Sequence, residues 1–276
     1  MNLTEKFVKL KADGKKWTVV TSYDYWSASI LNNTNVDALL VGDCAAMVMH
    51  GHKNTLCADP EMLATHTCAV AKGAPDKFII TALPFMAGKK SLKEGLETVE
   101  MFIKAGAHAV KIEGGFTNEA FIKQIVSMGI PVVGHIGLKP THIHMLRGFK
   151  VQGKKQKDAD MLLVEAIMLQ EIGCTCVVLE AVPPNVGLRL SEKLTIPVIG
   201  IGAGPDVDGH GLVFQDMLGL TTDFKPKFVR QYINGADLVT ASVNHFVSDV
   251  NDLNYPQATE TYLPKEKVVQ GKLAAA

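Results

Sequence analysis

Short apolar runs that end on a polar or ionisable residue recur along the chain, separated by segments with helical spacing. Ala38-Leu39-Leu40-Val41 runs into Gly42-Asp43-Cys44, Ala109-Val110-Lys111-Ile112 into Glu113-Gly114-Gly115, Pro131-Val132-Val133-Gly134 into His135, and Cys176-Val177-Val178-Leu179 into Glu180. Four to eight apolar residues bounded by a turn signal read as a buried strand, and parallel-sheet enzymes keep their chemistry at the strand exits. Residues 17–22, rich in β-branched side chains, predict strand one, residues 78–83 strand three and residues 196–201 strand seven, with a weaker strand eight expected within 213–220.

The intervening segments read as helices. A short one is expected to end near Asn33. Asp59 and Pro60 start a helix over 60–72 that Gly73 stops. Ser91 and Glu94 have capping-box spacing, after which Leu92, Leu96, Val99, Phe102 and Ile103 repeat at helical spacing up to Gly106. Further helices are expected over 118–128, around Leu162 to Ile172, over 188–194 and over 227–249. The segment 137–157, basic and glycine-containing, reads as a long loop and a candidate lid. Seven clear βα units and one faint one favour a (β/α)8 barrel over a doubly wound sheet, for which no switch-point fingerprint is present. Residues 1–256 are read as one barrel domain. Residues 257–276 form a C-terminal tail that includes cloning residues at 271–276.

Composition narrows the partners. With 28 basic against 28 acidic residues the net charge is zero, so no global field favours nucleic acid or an anionic membrane, and a small-molecule partner is expected. The apolar runs are too short to span a bilayer, and the charged N-terminus lacks a signal-peptide core. Five cysteines without a CxxC pair suit a reducing compartment, so a cytoplasmic location is expected.

Asp43 and Glu113 stand at strand exits either as site carboxylates or as caps of the following helix, and the first reading is favoured because both follow apolar strands. Lys111 and Glu113 alternate onto one face of their strand, where buried charges need partners or a metal. Glu180 ends an apolar strand, where partial desolvation suits it to general-base work. His142 and His144 could form a metal pair on the lid, although solvated histidines are commoner there. Gly200-Ile201-Gly202-Ala203-Gly204 lacks the spacing of a nucleotide loop and reads instead as a barrel exit where another loop or a ligand approaches closely.

The motifs Val41-Gly42-Asp43-Cys44, Lys111-Ile112-Glu113-Gly114-Gly115, Gly134-His135-Ile136-Gly137-Leu138, Gly148-Phe149-Lys150-Val151-Gln152-Gly153, Leu179-Glu180 and 200–204 occur in an order that resembles the ketopantoate hydroxymethyltransferase family from about Lys6 to Pro256. The resemblance implies a (β/α)8 barrel of the phosphoenolpyruvate/pyruvate type, assembled as a homo-oligomer, a decamer. It implies transfer of a hydroxymethyl group from methylenetetrahydrofolate to the 2-oxo acid 2-oxoisovalerate, through an enolate stabilised by Mg2+. By motif match it implies Asp43 and Glu113 as metal ligands and Glu180 as the base. Asp43, Cys44, Lys111 and the position of Ala82 would contact substrate, with Lys111 and His135 completing the catalytic set.

The sequence departs from that family at several places. Its strand three ends Ala82-Leu83-Pro84-Phe85 where the family has Asp-Leu-Pro-Phe, so one expected metal carboxylate is missing. Cys44 replaces a serine, Lys139 and Thr141 alter a Gly-Leu-Thr-Pro-Gln motif, and Arg147 replaces a glycine. Magnesium tolerates one or two carboxylates plus substrate oxygens. The parent reaction is therefore ranked first, related aldol or retro-aldol chemistry on another 2-oxo acid second, and a silent barrel subunit last, because Lys111, Glu113, His135 and Glu180 are all retained.

Overall fold

A computed structural model describes residues 3–222 and 225–262. In chain order the elements are α1 (Leu3–Ala12), β1 (Trp17–Thr21), α2 (Tyr25–Asn32), β2 (Ala38–Val41), α3 (Ala45–Val48), α4 (Pro60–Gly73), β3 (Phe78–Ala82), α5 (Leu92–Lys104), β4 (Ala109–Glu113), α6 (Glu119–Ser127) and β5 (Val132–Gly137). They continue with α7 (Ile143–Leu146), α8 (Gln156–Glu171), β6 (Cys176–Glu180), α9 (Pro184–Lys193), β7 (Val198–Ile201), β8 (Gly209–Leu212), α10 (Phe214–Met217) and α11 (Gly235–Asn251). The strands close into a parallel barrel in sequence order, β8 pairing with β1.

Two cores follow from the strand alternation. Val19, Leu40, Ile80, Val133, Val178 and Ile199 pack inside the barrel above Trp17 and Phe78. Leu39, Ile79, Val110, Val132, Val177 and Val198, their neighbours along the chain, face the helix ring and meet Leu63, Phe102, Ile122, Leu169 and Leu190. The inward positions at the carboxyl ends of the strands are thereby left for polar side chains: Lys111 and Glu113 follow Ala109 by two and four residues, His135 follows Val133 and Glu180 follows Val178.

Among the described residues three α-helix starts, those of α2, α4 and α5, carry a side-chain N-cap, from Asp24, Asp59 and Ser91. Asp59 accepts from the amide of Met62 at 2.8 Å, with Pro60 opening α4. Ser91 accepts from Glu94 N at 3.1 Å, the forward half of the expected capping box. Gly202 and Gly204 have φ of +69° and +84°, and a Cβ on Gly204 would stand 2.6 Å from Pro184 Cβ, so the glycine-rich exit serves loop packing.

Several expected boundaries move. The eighth strand is Gly209–Leu212, and the segment expected to contain it opens with α10 instead. Gly209 and Gly211 weaken the strand signal, yet a Cβ at Gly209 would lie 2.4 Å from Trp17 Cβ, so the closing strand needs glycine to approach β1. The helix expected over 188–194 starts at Pro184, and β7 starts at Val198 rather than Ile196. Residues 227–234 precede α11 rather than belonging to it. The expected lid is partly ordered, with a 3-10 turn over Pro140–His142 followed by α7, and its last two residues already belong to α8. Of the expected tail, Ala258–Glu260 form a 3-10 turn, while 263–276, including the stretch expected to be cloning residues, lie outside the described residues.

Helix α11 differs from the others. Backbone bonds from Gly235 to Leu218 O and from Ala236 to Gly219 O anchor its first turn, and residues 237–248 are then all exposed. Leu238, Val239, Val243, Phe246, Val247 and Val250 fall on one side of this helix, bare.

Candidate active site

The inward residues at the strand exits meet in one buried group. Lys111 Nζ lies 3.8 Å from Asp43 Oδ1 and 3.6 Å from Glu113 Oε1, all three side chains being at most 5% exposed. The same ammonium is 3.1 Å from His135 Nδ1. A lysine ammonium only donates, so Nδ1 carries the lone pair and the ring proton sits on Nε2. That Nε2 is 3.2 Å from Glu180 Oε2, without the alignment of a hydrogen bond. Asp43, Glu113, Lys111, His135 and Glu180 are thus one connected cluster, drawn from the ends of β2, β4, β5 and β6.

The surroundings hold these groups in place. Thr141, in the first turn of the expected lid, donates to Glu113 Oε2 from its amide at 3.1 Å and its hydroxyl at 2.5 Å. Asn118 Nδ2 donates to the carbonyls of Glu113 and Gly114, at 2.8 and 2.7 Å, and Glu165 on α8 accepts from Gly115 N at 2.7 Å. Gly137 has φ +88°, and a Cβ there would stand 2.3 Å from Glu180 O, so only glycine lets β5 pass this close to the glutamate.

Burial and charge tune each group. Burial pushes Asp43 up to about 6 against the pull of Lys111, and pushes Glu180 up to about 8. Burial also acts to raise Glu113, but the Lys111 charge and the two hydrogen bonds from Thr141 oppose it, and its carboxyl is lowered. Lys111 is held above its ordinary value although burial opposes this, because Asp43, Glu113 and Glu180 surround it. His135 falls to about 3, through burial and then the Lys111 charge, so it is neutral. A neutral histidine, a fixed ammonium and a glutamate whose affinity for a proton is close to neutrality make a proton-transfer site.

Cys44 is next to Asp43 and makes a 2.9 Å contact with the Tyr23 hydroxyl. Burial, reinforced by Asp43, pushes its thiol up to about 12, which suits a wall and not a nucleophile. Ala82 is buried on the inner face of β3, in register with Lys111. His142 and His144 stay outside the cluster: His142 Nε2 is 3.4 Å from Lys89 Nζ, and His144 is exposed. Tyr23, Thr141, Asn118 and Glu165 were not singled out from the sequence as site residues. A buried glutamate on α8 departs from that helix's apolar inner face and was the one available signal.

Asp43 Oδ2 and Glu113 Oε1 are buried without a hydrogen-bond partner. Two open carboxylate oxygens fit magnesium, which binds through one or two carboxylates and keeps water or substrate oxygens for the rest. Among the described residues no group of three His, Cys, Asp or Glu side chains encloses an ion. The remaining ligands would come from substrate and water.

A closed parallel barrel with ionisable residues gathered at the carboxyl ends of its strands defines a (β/α)8 enzyme. The profile of the ketopantoate hydroxymethyltransferase family matches residues 2–258, and the chain belongs to that family. It is 46% identical over 254 residues to a 3-methyl-2-oxobutanoate hydroxymethyltransferase of Coxiella burnetii, covering 92% of this chain and 96% of the relative. A Francisella tularensis subsp. novicida protein of the same name is 45% identical over 256 residues, covering 93% and 97%. Among solved structures, a phosphonopyruvate hydrolase in complex with oxalate and Mg2+ superposes with a TM-score of 0.61 at 11% identity, covering 94% of this chain and 93% of that one. A 2,3-dimethylmalate lyase of the PEP mutase/isocitrate lyase superfamily gives 0.58 at 13% identity, covering 96% and 93%. These two share the fold.

Proposed function

We propose that the protein transfers a hydroxymethyl group to 2-oxoisovalerate (3-methyl-2-oxobutanoate), forming ketopantoate, with methylenetetrahydrofolate as one-carbon donor and Mg2+ as cofactor. The observation that carries this reading is the contact chain Glu180–His135–Lys111–Glu113 in the barrel mouth. Asp43 and Glu113 would hold the ion through their open oxygens. When bound, magnesium supplies Lewis-acid stabilisation of negative charge on the keto oxygen.

Lys111 faces the substrate carboxylate and keto group with a charge fixed by its two acidic neighbours. Glu180 is the base. Its carboxylate takes the C3 proton, and its raised affinity for protons matches that task better than an ordinary glutamate would. His135, neutral and with its Nε2 3.2 Å from Glu180 Oε2, flanks that carboxylate without adding charge. Water opens the donor's methylene bridge, both C–N bonds breaking and each nitrogen taking a proton, so that tetrahydrofolate leaves and the carbon remains as formaldehyde. The C3 carbanion bonds to that carbon, and the resulting alkoxide takes the proton held by Glu180 to become the hydroxyl. Cys44 and Ala82 shape the pocket beside Asp43.

Incubation with 2-oxoisovalerate in deuterated water, with and without Mg2+, reports C3 exchange, and adding the donor reports ketopantoate. Absence of exchange would overturn the reading.

We place this chemistry in a homo-oligomer in the cytoplasm. The apolar side of α11 calls for a covering surface, which a second copy would supply, and all five cysteines are free. No described helix is long and apolar enough to cross a membrane. Val243→Asp with Phe246→Glu is expected to lower the assembly mass in light scattering, and an unchanged mass would remove α11 from the interface.

A further inference from the structure

Two histidines outside the barrel cluster point their Nε2 atoms at each other. His50 stands just past α3 and His66 lies on α4, with Nε2 to Nε2 at 2.9 Å and the ring planes at 67°. His66 Nδ1 is 2.5 Å from the carbonyl oxygen of Tyr23. A carbonyl only accepts, so the ring proton of His66 is on Nδ1 and its lone pair points from Nε2 at His50. A ring N–H tied to a backbone carbonyl is the arrangement that orients metal-ligating histidines. His50 is also set in place. Backbone bonds from Met49 and His50 to Ala45 O, from Gly51 to Met47 O and from His52 to Ala46 O wind the chain tightly after α3, with Gly51 at φ +72°. His50 is exposed and His66 half-buried, so an ion reaches the pair from solvent.

The spacing selects the ion. Imidazole nitrogens bind zinc-sized dications at about 2.0–2.1 Å, so two of them 2.9 Å apart subtend about 90° at a shared ion. A tetrahedral ion would need them about 3.3 Å apart. Right angles between nitrogen ligands belong to Cu2+ and Ni2+, whereas Mg2+ takes oxygen ligands. Among the described residues no third His, Cys, Asp or Glu side chain joins the pair, so water fills the remaining positions.

We infer that His50 and His66 form a second metal site, separate from the barrel mouth, for a nitrogen-preferring late transition-metal dication of the Ni2+ or Cu2+ class. Binding replaces the hydrogen bond between the rings with two metal–nitrogen bonds. The proton on His50 Nε2 passes through solvent to Nδ1, so both Nε2 lone pairs meet the ion and neither ring changes its charge. The ion then ties the turn after α3 to α4. That turn follows Asp43 and Cys44, and His66 also holds Tyr23, whose hydroxyl is 2.9 Å from Cys44 Sγ. The segments leaving β1 and β2 are thereby fastened together, and an ion that binds only the folded chain stabilises it by mass action.

The test is independent of turnover. Ni2+ is titrated calorimetrically into the full chain with Mg2+ in excess to fill the oxygen sites. Losing a ligand costs at least what losing a ligand's hydrogen-bond partner costs, so His50→Gln is expected to weaken Ni2+ roughly 10- to 100-fold or more. Ni2+ should raise the melting temperature of the parent chain and leave that of His50→Gln unchanged. With Cu2+ in place of Ni2+, electron paramagnetic resonance should show coupling to two ring nitrogens, and to one in His50→Gln. The joint variant His142→Gln with His144→Gln, which removes the histidines of the lid, should match the parent chain throughout. Equal Ni2+ affinity in the parent chain and His50→Gln overturns the inference, as does loss of binding in the lid variant in its place. A Cu2+ spectrum of the parent chain with fewer than two coupled nitrogens overturns it as well. His66→Gln is expected to repeat the His50→Gln result, and if it fails to fold the exposed His50 decides alone.

Discussion

Two lysines at opposite ends of the barrel show how differently this chain treats a buried charge. Lys11, at the amino-terminal end, donates to Ser191 O at 2.7 Å, Ile196 O at 3.2 Å and Asp208 Oδ2 at 2.8 Å, so all three of its protons are used. Asp208 in turn accepts from Val198 N at 2.8 Å. Lys111, at the carboxyl-terminal end, is more deeply buried yet makes one hydrogen bond, to His135, and has its carboxylates at 3.6 and 3.8 Å. Around it, Asp43 Oδ2, Glu113 Oε1 and His135 Nε2 have no partner. The first lysine closes a fold and the second keeps capacity for a ligand. In barrels of this class the two ends divide stability from chemistry in the same way.

The largest expected effect breaks the chemical end. Glu180→Gln should lower C3 exchange by roughly 10²- to 10⁴-fold, the range for removing a general base, while the far-ultraviolet circular dichroism is unchanged. Exchange at the parent rate would move the base elsewhere. The same variant should melt higher. A carboxyl whose proton affinity is raised on folding, here to about 8, costs stability once pH exceeds its unfolded value, increasingly until pH passes about 8. The gain from Glu180→Gln should therefore grow from pH 5 to pH 8 and then level off.

Breaking the other end should do the reverse. Lys11→Met leaves Asp208 and two carbonyls short of a donor and is expected to cost about 2 to 4 kcal/mol in denaturant unfolding, with C3 exchange per folded molecule unchanged. A loss of exchange with no loss of stability would refute the division between the ends.

Because Glu180 must be deprotonated to act, exchange in the free enzyme should rise about tenfold per pH unit below about 8 and flatten above it. A profile flat from pH 6 to 9 would exclude Glu180 as the titrating base. The smallest effect is expected at Cys44. Its thiol is pushed up to about 12 and packs on Tyr23, so Cys44→Ser should keep exchange on 2-oxoisovalerate within about threefold of the parent. Complete loss, with a covalent adduct detected by mass spectrometry in the unmodified protein, would make Cys44 a nucleophile.

The sequence by itself determined most of the barrel, because a strand buried on both faces must be apolar along its whole length and such runs are legible one at a time. Asp43, Lys111, Glu113, His135 and Glu180 were visible for the complementary reason: each interrupts or ends such a run where an ionisable group would otherwise be excluded. β8 was misplaced because its glycines answer to the Trp17 strand of β1, nearly two hundred residues away in the chain. The roles of Glu165 and Thr141 lay hidden, Glu165 showing only as a charge on an apolar helix face, because what they hold, the backbone after Glu113 and its carboxylate, is brought to them only by helix and loop packing. Which carboxylate oxygens stay open, how close Lys111 comes to each, and that Ala82 shares their layer depend on distances between different strands. Those distances exist only once the barrel has closed.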